Sequence, residues 1–176
     1  MSDARLDQVR ARLEELDVDA LLVTTPSNRR WVSGFTGSAG VLLISRDRAR
    51  FATDSRYWEQ VGRQSPEFEL VQVTGATTGV AADLLEDTAD MTIGYEHAHL
   101  TMAAYEQWTA AVAALPEAAG PRLVPAPNAI EPLRLIKDAD ELDALTRAVK
   151  LGDEGMVHAI KVIEPGMTER QLAWEI

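Results

Sequence analysis

The stretch VLLISRDRARFAT, residues 41–53, decides the fold class of this chain. Residues 41–44 form an apolar run of strand length, and residues 50–53 form a second one. The polar residues 45–48 between them are typical of a tight hairpin turn, so the two strands are predicted to pair antiparallel. Such a pair, inside a chain that otherwise alternates strands with helices, predicts an α/β structure with a mixed sheet.

Strand patterns and helix patterns alternate on both sides of this hairpin. Short apolar or alternating runs predict strands, and apolar residues at helical spacing predict helices. Strands are predicted at residues 20–24, 68–73, 91–95 and 122–125, and helices at residues 6–16, 55–64, 80–85 and 101–115. The Pro26-Ser27-Asn28 cluster is predicted to stop the first strand, and residues 28–40 are interpreted as a loop.

The pattern changes in the last quarter of the chain. Asp138 followed by Glu141 has the spacing of a capping box and predicts the start of a long helix. A second start of this kind, at Thr168, opens a helix that is incomplete where the sequence stops. We therefore predict two domains, residues 1–130 and residues 131–176, and interpret the second as the first piece of a truncated domain.

Composition excludes several classes of function. The chain carries 28 acidic and 17 basic residues and a formal net charge of -11. This argues against a nucleic-acid partner, which needs a basic surface, and against an anionic membrane surface. The absence of cysteine excludes disulfides, thiolate zinc sites and thiol catalysis. The apolar runs are too short to span a bilayer and no signal-peptide pattern is present, so we expect a cytoplasmic location.

Three motifs that suggest catalysis or binding have simpler structural interpretations. The glycine-rich residues 34–40 lack the lysine of a phosphate loop and precede a strand, so we interpret them as a tight turn. A nucleophile elbow needs glycine two positions before the serine and a helix after it, but Thr36 stands two positions before Ser38 and a strand follows. His97 and His99 are spaced so that they could chelate a metal, but a surface loop that enters the helix at Thr101 is the favoured interpretation.

Residues 54–57 follow a predicted strand and leave two interpretations open. Residues 54–55 can cap the next helix. Alternatively, Arg56 and Tyr57 at a strand end can recognise a carboxylate or a ring. Trp31 and Trp58 are large amphipathic side chains that belong either to the core or to an interface.

Five segments in chain order resemble a known family of peptidases. Residues 28–40 resemble the pattern N-x-x-(aromatic)-x-(S/T)-G-F-x-G-S-x-G, and residues 53–60 resemble T-D-x-R-Y-x-x-Q. Shorter resemblances follow at residues 93–96, 133–141 and 165–169. Each match is short, but five in register are specific. Together they are similar to aminopeptidase P and its relatives, which include prolidase and creatinase.

The resemblance implies a fold and a division of labour. It implies a three-layer creatinase-type N-terminal domain, with a mixed β-sheet flanked by helices, followed by a "pita-bread" catalytic domain. That second domain is expected to hold two divalent metal ions, manganese or cobalt, which activate water for attack on the bond before proline. No catalytic or metal-binding residue can be assigned in this chain. We therefore expect no cofactor in it and no activity from it alone.

The resemblance also implies a role for the first domain. In relatives it contributes to a dimer or larger oligomer and borders the mouth of an active site. The expected partners are its own catalytic domain, a second subunit and a proline-containing peptide. The candidate gating or interface residues are Asn28, Trp31, Phe35, Asp54, Arg56, Tyr57 and Trp58. Two alternatives stay open: another hydrolase of this architecture, such as creatinase or a compatible-solute hydrolase, and a non-enzymatic protein-binding module.

Overall fold

Among the described residues, five of the six strands in the sheet run in the same direction, so their carboxyl ends lie on the same side of the sheet. The computed structural model describes residues 2–74, 82–115 and 120–176. The chain divides into two compact units, Met1–Arg134 and Leu135–Ile176. The sheet lies in the first unit.

The secondary structure follows the alternation that the sequence predicts. The strands are β1 (Ala20–Val23), β2 (Val41–Ser45), β3 (Ala49–Asp54), β4 (Glu69–Val73), β5 (Thr92–Tyr95) and β6 (Arg122–Pro125). The helices are α1 (Ser2–Glu15), α2 (Pro26–Ser33), α3 (Trp58–Gln64), α4 (Met102–Ala113), α5 (Glu131–Leu135), α6 (Ala139–Val162) and α7 (Glu169–Glu175).

The strand order of the sheet is β4-β3-β2-β1-β5-β6. The hairpin is confirmed: β2 pairs antiparallel with β3, with Val41 opposite Ala52. β1 also pairs antiparallel with β2, whereas β1–β5, β5–β6 and β3–β4 are parallel pairs. Only β2 runs against the others. The predicted mixed sheet is therefore correct, and one edge of it holds the carboxyl ends of five strands.

Helices cover both faces of the sheet. Successive residues of a strand point to opposite faces, so Leu21 packs in one core cluster and Leu22 in another. The first cluster includes side chains from α1, α2 and α3. The second includes a 3-10 turn before β5 and α4, which contributes the fully buried Trp108. This confirms the predicted α/β fold with three layers.

The loop interpretation of residues 28–40 is wrong for its first half. Pro26 does not lead into a loop but opens α2, where a first-turn proline sacrifices no helical hydrogen bond. The helix ends at Gly34, which adopts φ 72° in the left-handed region and donates its N–H to the carbonyl of Arg30. The tight-turn prediction therefore holds for residues 34–40, but Asn28 and Trp31 belong to a helix.

Two shorter segments also differ from expectation. Of the helix predicted at residues 80–85, Val80 lies outside the described residues and Ala82–Leu85 forms a 3-10 turn. The sequence analysis did not predict α5 at all, because five residues are too few to show a helical repeat.

The second unit begins as its capping signals predict. Asp138 and Glu141 form a complete capping box that starts the 24-residue α6. Thr168 and Gln171 form another that starts α7. Large apolar side chains on these helices are exposed, among them Trp174 at 86%. Among the residues that the structure describes, no helix has both the length and the apolar character to cross a bilayer.

Candidate functional site

The carboxyl ends of β1, β3 and β5 lie at one edge of the sheet. The segments that leave these strands carry Thr24 and Thr25, Asp54 and Glu96 to that edge. Residues 34–40, which we call the glycine loop, lead into the start of β2 at the same edge. Ligand sites of open α/β sheets form at this edge, so it is the place to search for function.

The Glu96 side chain occupies the amino end of α2. It is 5% exposed. Its Oε2 accepts hydrogen bonds from the backbone N–H of Thr24 at 2.6 Å and of Thr25 at 2.7 Å. Its Oε1 accepts from Nδ2 of Asn28 at 2.6 Å. A helix amino end attracts anions, and here the chain's own carboxylate fills that position. The N–H groups of Thr24 and Thr25 are therefore not available to an external phosphate.

Asn28 extends this network to α5. It is 0% exposed, and its Nδ2 also donates to Oε1 of Glu131 at 2.7 Å. Its Oδ1 accepts from Nη1 of Arg134 at 2.7 Å. Burial alone raises the pKa of Glu131, but the hydrogen bonds from Asn28 and the backbone, with the Arg134 charge, lower the pKa overall. The amide thus bridges two carboxylates and joins α2 to α5.

Residues 54–57, which we call the polar turn, carry an exposed ion pair. Arg56 donates from Nε to Oδ1 of Asp54 at 2.8 Å and from Nη2 to Oδ2 at 2.9 Å. These bonds lower the pKa of Asp54 to about 2. Asp54 therefore does not cap α3, and the helix start predicted at residue 55 is wrong. The N–H of Tyr57 donates to the Asp54 carbonyl and closes a turn, so α3 begins only after it.

Tyr57 connects the polar turn to the glycine loop. Its hydroxyl lies 2.7 Å from Oγ of Ser38, and this hydrogen bond lowers the pKa of the phenol. Its ring packs edge-on against Phe35 at 5.5 Å between centroids. The Arg56 guanidinium stacks over the ring at 5.2 Å from its centroid. Arg56, Tyr57 and Ser38 thus form one continuous polar and aromatic surface.

A second set of hydrogen bonds ties the glycine loop to α3. Oε1 of Gln64 accepts from the backbone N–H of Thr36 and from Nε2 of Gln60, both at 3.0 Å. Nε2 of Gln60 also donates to Oγ1 of Thr36 at 3.0 Å. The loop is therefore held in one arrangement beside the polar turn.

The sequence analysis missed Arg29, which supports the glycine loop from below. Arg29 is 4% exposed, and it donates from Nη1 to the Gly40 carbonyl at 2.6 Å and from Nη2 to the Gly37 carbonyl at 3.0 Å. The adjacent Arg30 is exposed. No local signal in the sequence indicates which of two consecutive arginines is buried. Only the helical phase of α2 distinguishes them, and α2 was not predicted from the sequence.

The predicted site residues fall into two groups. Asn28, Trp31 and Phe35 are buried, at 0%, 8% and 1% exposure, so in this chain they support the surface instead of forming it. The other predicted residues come together at the polar turn: Asp54, Arg56, Tyr57 and Trp58. Of these, Trp58 is half-buried and donates from Nε1 to the carbonyl of Thr53 at 2.9 Å.

The part of the chain that the structure describes does not fit a metal centre. His97 and His99 lie in an exposed turn before α4, as their simpler interpretation predicts, whereas the neighbouring Glu96 points inward to α2. Within residues 2–74, 82–115 and 120–176, no three His, Cys, Asp or Glu side chains are grouped so as to hold an ion. The two divalent ions that the resemblance implies therefore find no ligand set among them.

A cavity of about 270 Å³ at the opposite edge of the sheet is a weaker candidate. Its charged groups already have partners within the chain. Arg48 pairs with Glu69 and Asp87, and the buried Arg50 donates to the carbonyl of Glu86. A site needs convergent groups that are available to a ligand, so the polar turn is the better candidate.

Comparison with known proteins agrees with the fold and the five sequence segments. Residues 5–136 match the Creatinase/Prolidase N-terminal domain. The chain belongs to this family. The uncharacterized peptidase YqhT of Bacillus subtilis (strain 168) is 34% identical to this creatinase/prolidase-type chain over 172 residues, which cover 98% of the chain and 47% of YqhT.

Solved structures give the same result. The Xaa-Pro dipeptidase from Bacillus anthracis superposes with a TM-score of 0.88 at 30% identity, over 99% of this chain and 47% of that one. The N-terminal domain of the cytoplasmic peptidase PepQ from Mycobacterium tuberculosis H37Rv superposes with a TM-score of 0.65 at 29% identity, over 74% of this chain and 98% of that one. The creatinase/prolidase-type chain thus spans about half the length of full-length relatives, one of them described as an Xaa-Pro dipeptidase.

Proposed function

We propose that this chain is the non-catalytic N-terminal part of an Xaa-Pro metallopeptidase, and that the polar turn with Ser38 borders the mouth of its active site. The observation that carries the proposal is the exposed Arg56–Tyr57 stack, fixed by Asp54 and Ser38. Such a surface is pre-arranged and loses little conformational entropy when a ligand binds.

The chemistry of this surface suits the end of a short peptide. Arg56 is 68% exposed at its side chain and uses Nε and Nη2 for Asp54, which leaves Nη1 directed away from that carboxylate. A guanidinium nitrogen binds a peptide carboxylate, and the face of a tyrosine packs well against a proline ring. The negative charge of Asp54 balances the positive charge of Arg56. The surface therefore selects a peptide end by its geometry more than by its net charge.

The activity of the whole protein is part of the proposal. The Xaa-Pro dipeptidase from Bacillus anthracis supports hydrolysis of the bond that precedes proline, and the cytoplasmic peptidase PepQ supports a peptidase and a cytoplasmic location. Residues 131–176 would begin the catalytic domain. Two divalent ions held outside this chain would supply an activated water. We further propose that residues 1–130 contribute to a homodimer or larger assembly, in which the polar turn faces the active site of its own or a neighbouring subunit.

The test compares Arg56→Ala and Tyr57→Ala in the whole protein, with manganese or cobalt and a series of Xaa-Pro peptides. Loss of one hydrogen bond to a charged group predicts that KM rises about tenfold while kcat changes little. Arg63→Ala is the matched control, because Arg63 is an exposed arginine of α3 that pairs only with Glu59 among the described residues. Light scattering measures the oligomeric state of each variant.

Three outcomes would count against the proposal. Unchanged KM and unchanged oligomeric state in both variants would remove the role of the polar turn. Hydrolysis of proline peptides by residues 1–176 alone would contradict the non-catalytic assignment. Failure of the wild-type whole protein to cleave any Xaa-Pro bond would leave another hydrolase of this architecture, or a protein-binding module, as the function.

A further inference from the structure

A buried arginine lies directly beneath the glycine loop. Arg29 is on α2, is 4% exposed, and makes no ion pair with any residue in the described part of the chain. Removing a guanidinium from water is costly, and here burial lowers its pKa. Nε has no hydrogen-bond partner in the structure. A buried guanidinium of this kind is expected where its hydrogen bonds hold a specific part of the backbone in place.

The bonds that Arg29 makes are directed at the loop. Nη1 donates to the Gly40 carbonyl at 2.6 Å and Nη2 to the Gly37 carbonyl at 3.0 Å. These two carbonyls bracket Ser38. Between them, the Ala39 carbonyl accepts from Oγ1 of Thr53 at 2.8 Å. These three contacts fix the backbone on both sides of Ser38. Two of them come from the forked guanidinium, a pair of donors that only arginine provides.

The position of Ser38 decides the position of Tyr57. The Ser38 hydroxyl meets the Tyr57 hydroxyl at 2.7 Å, and Tyr57 carries the Arg56 guanidinium on its ring. The loop also passes very close to this ring: a Cβ on Gly37 would lie 2.9 Å from Cδ1 of Tyr57. A shift of the loop therefore moves the phenol and its stacked cation together.

We infer that Arg29 is a positioning residue: it holds the glycine loop so that Ser38 and Tyr57 set the geometry of the Arg56–Tyr57 surface. The effect of this positioning on substrate binding rests on the proposed function, whereas the positioning of the glycine loop by Arg29 does not.

The test uses Arg29→Lys and Arg29→Met in the 176-residue chain, with Arg30→Met as control. Lysine keeps the charge but presents a single nitrogen, and methionine removes both bonds. Arg30 follows Arg29 in the last turn of α2 and is exposed, so its variant changes the same residue type without removing a side-chain bond to the loop. Circular dichroism and urea unfolding establish that each variant folds, and Arg29→Lys decides the question if Arg29→Met does not fold.

The readout is the titration of Tyr57, followed by NMR of tyrosine-labelled protein and assigned with Tyr57→Phe. The Ser38 hydrogen bond lowers the pKa of Tyr57, and the nearby charges of Arg56 and Asp54 act on the same phenol, the first lowering and the second raising it. The Arg29 charge also acts on Tyr57, so loss of that charge alone would raise the Tyr57 pKa in Arg29→Met. Arg29→Lys keeps the charge, so a raised Tyr57 pKa in that variant reports release of the loop and loss of the Ser38 bond. The Tyr57 pKa should stay constant in Arg30→Met. Tyr95, whose pKa burial raises, should not respond.

A folded Arg29 variant with an unchanged Tyr57 titration overturns the inference. In the whole protein, the same variants should raise KM for a proline dipeptide about tenfold, with partial recovery in Arg29→Lys and little change in kcat. A shifted Tyr57 titration together with an unchanged KM would keep Arg29 as the positioning residue and instead refute the role of the surface in substrate binding.

Discussion

Replacement of Asn28 by aspartate tests the buried network most severely. Asn28→Asp keeps the size and shape of the side chain and changes one NH2 group to oxygen. That NH2 donates to Oε1 of Glu96 at 2.6 Å and to Oε1 of Glu131 at 2.7 Å. In the variant, a third carboxylate faces two others at these distances, and only the bond from Arg134 is kept.

The expected cost follows from these contacts. The variant places an uncompensated charge in a buried site, which costs about 3–5 kcal/mol. We therefore expect Asn28→Asp to lower the free energy of unfolding by about 3–5 kcal/mol at pH 7.5, out of about 5–15 kcal/mol for an ordinary domain. The variant should still fold, with a clearly lower urea midpoint.

The cost should depend on pH with a defined sign. The two neighbouring carboxylates raise the folded-state pKa of the new carboxyl above its unfolded value. The destabilisation is therefore largest above the folded pKa and becomes smaller as pH falls toward the unfolded pKa, because a protonated carboxyl has one O–H and restores one of the two bonds that the amide donated. Urea unfolding at pH 7.5, 6 and 5 should show the difference from wild type becoming smaller.

Asn128→Asp supplies the matched control. Asn128 is the other asparagine of the chain; it is exposed, and its backbone φ of 50° is one that aspartate also tolerates. Its variant should change the free energy of unfolding by less than about 0.5 kcal/mol. If Asn28→Asp costs no more than this control at pH 7.5, the argument that Asn28 bridges two buried carboxylates is refuted.

Two further predictions concern the polar turn and the end of α2. In NMR, the Asp54 carboxyl should titrate near a pKa of about 2, and Arg56→Gln should bring this pKa back toward 3.8. Any stability that the ion pair contributes is present above pH 3.8 and is lost as pH falls toward 2. An Asp54 pKa that Arg56→Gln does not change would contradict the pairing. Gly34→Ala should destabilise the fold by about 1 kcal/mol because of its left-handed φ of 72°, since the added Cβ meets only ordinary contacts. Gly62→Ala, in the interior of α3, should instead stabilise the fold by about 0.5–1 kcal/mol. Equal effects of the two variants in urea unfolding would rule out the backbone explanation.

Several features of this protein follow from local sequence alone. The hairpin of β2 and β3 needs only two apolar runs and a polar turn between them. The capping boxes at Asp138 and Thr168 need only residues three positions apart. These signals are readable because the interacting groups are neighbours in the chain. The exposed polar turn was found for a similar reason: a strand end followed by polar and aromatic residues is a local pattern.

The arrangement beneath that turn depended on tertiary structure. Glu96 binds the N–H groups of Thr24 and Thr25 from 72 and 71 residues away, and no local pattern indicates which carboxylate fills the end of α2. Equally, only the packing of α2 on the sheet distinguishes the buried Arg29 from the exposed Arg30. Local sequence thus determined the strands, the hairpin and the capping boxes, but neither α2 nor α5, and it indicated where a surface lies. The fold decided which polar groups are buried together, because desolvation and long-range hydrogen bonds exist only once the sheet is assembled.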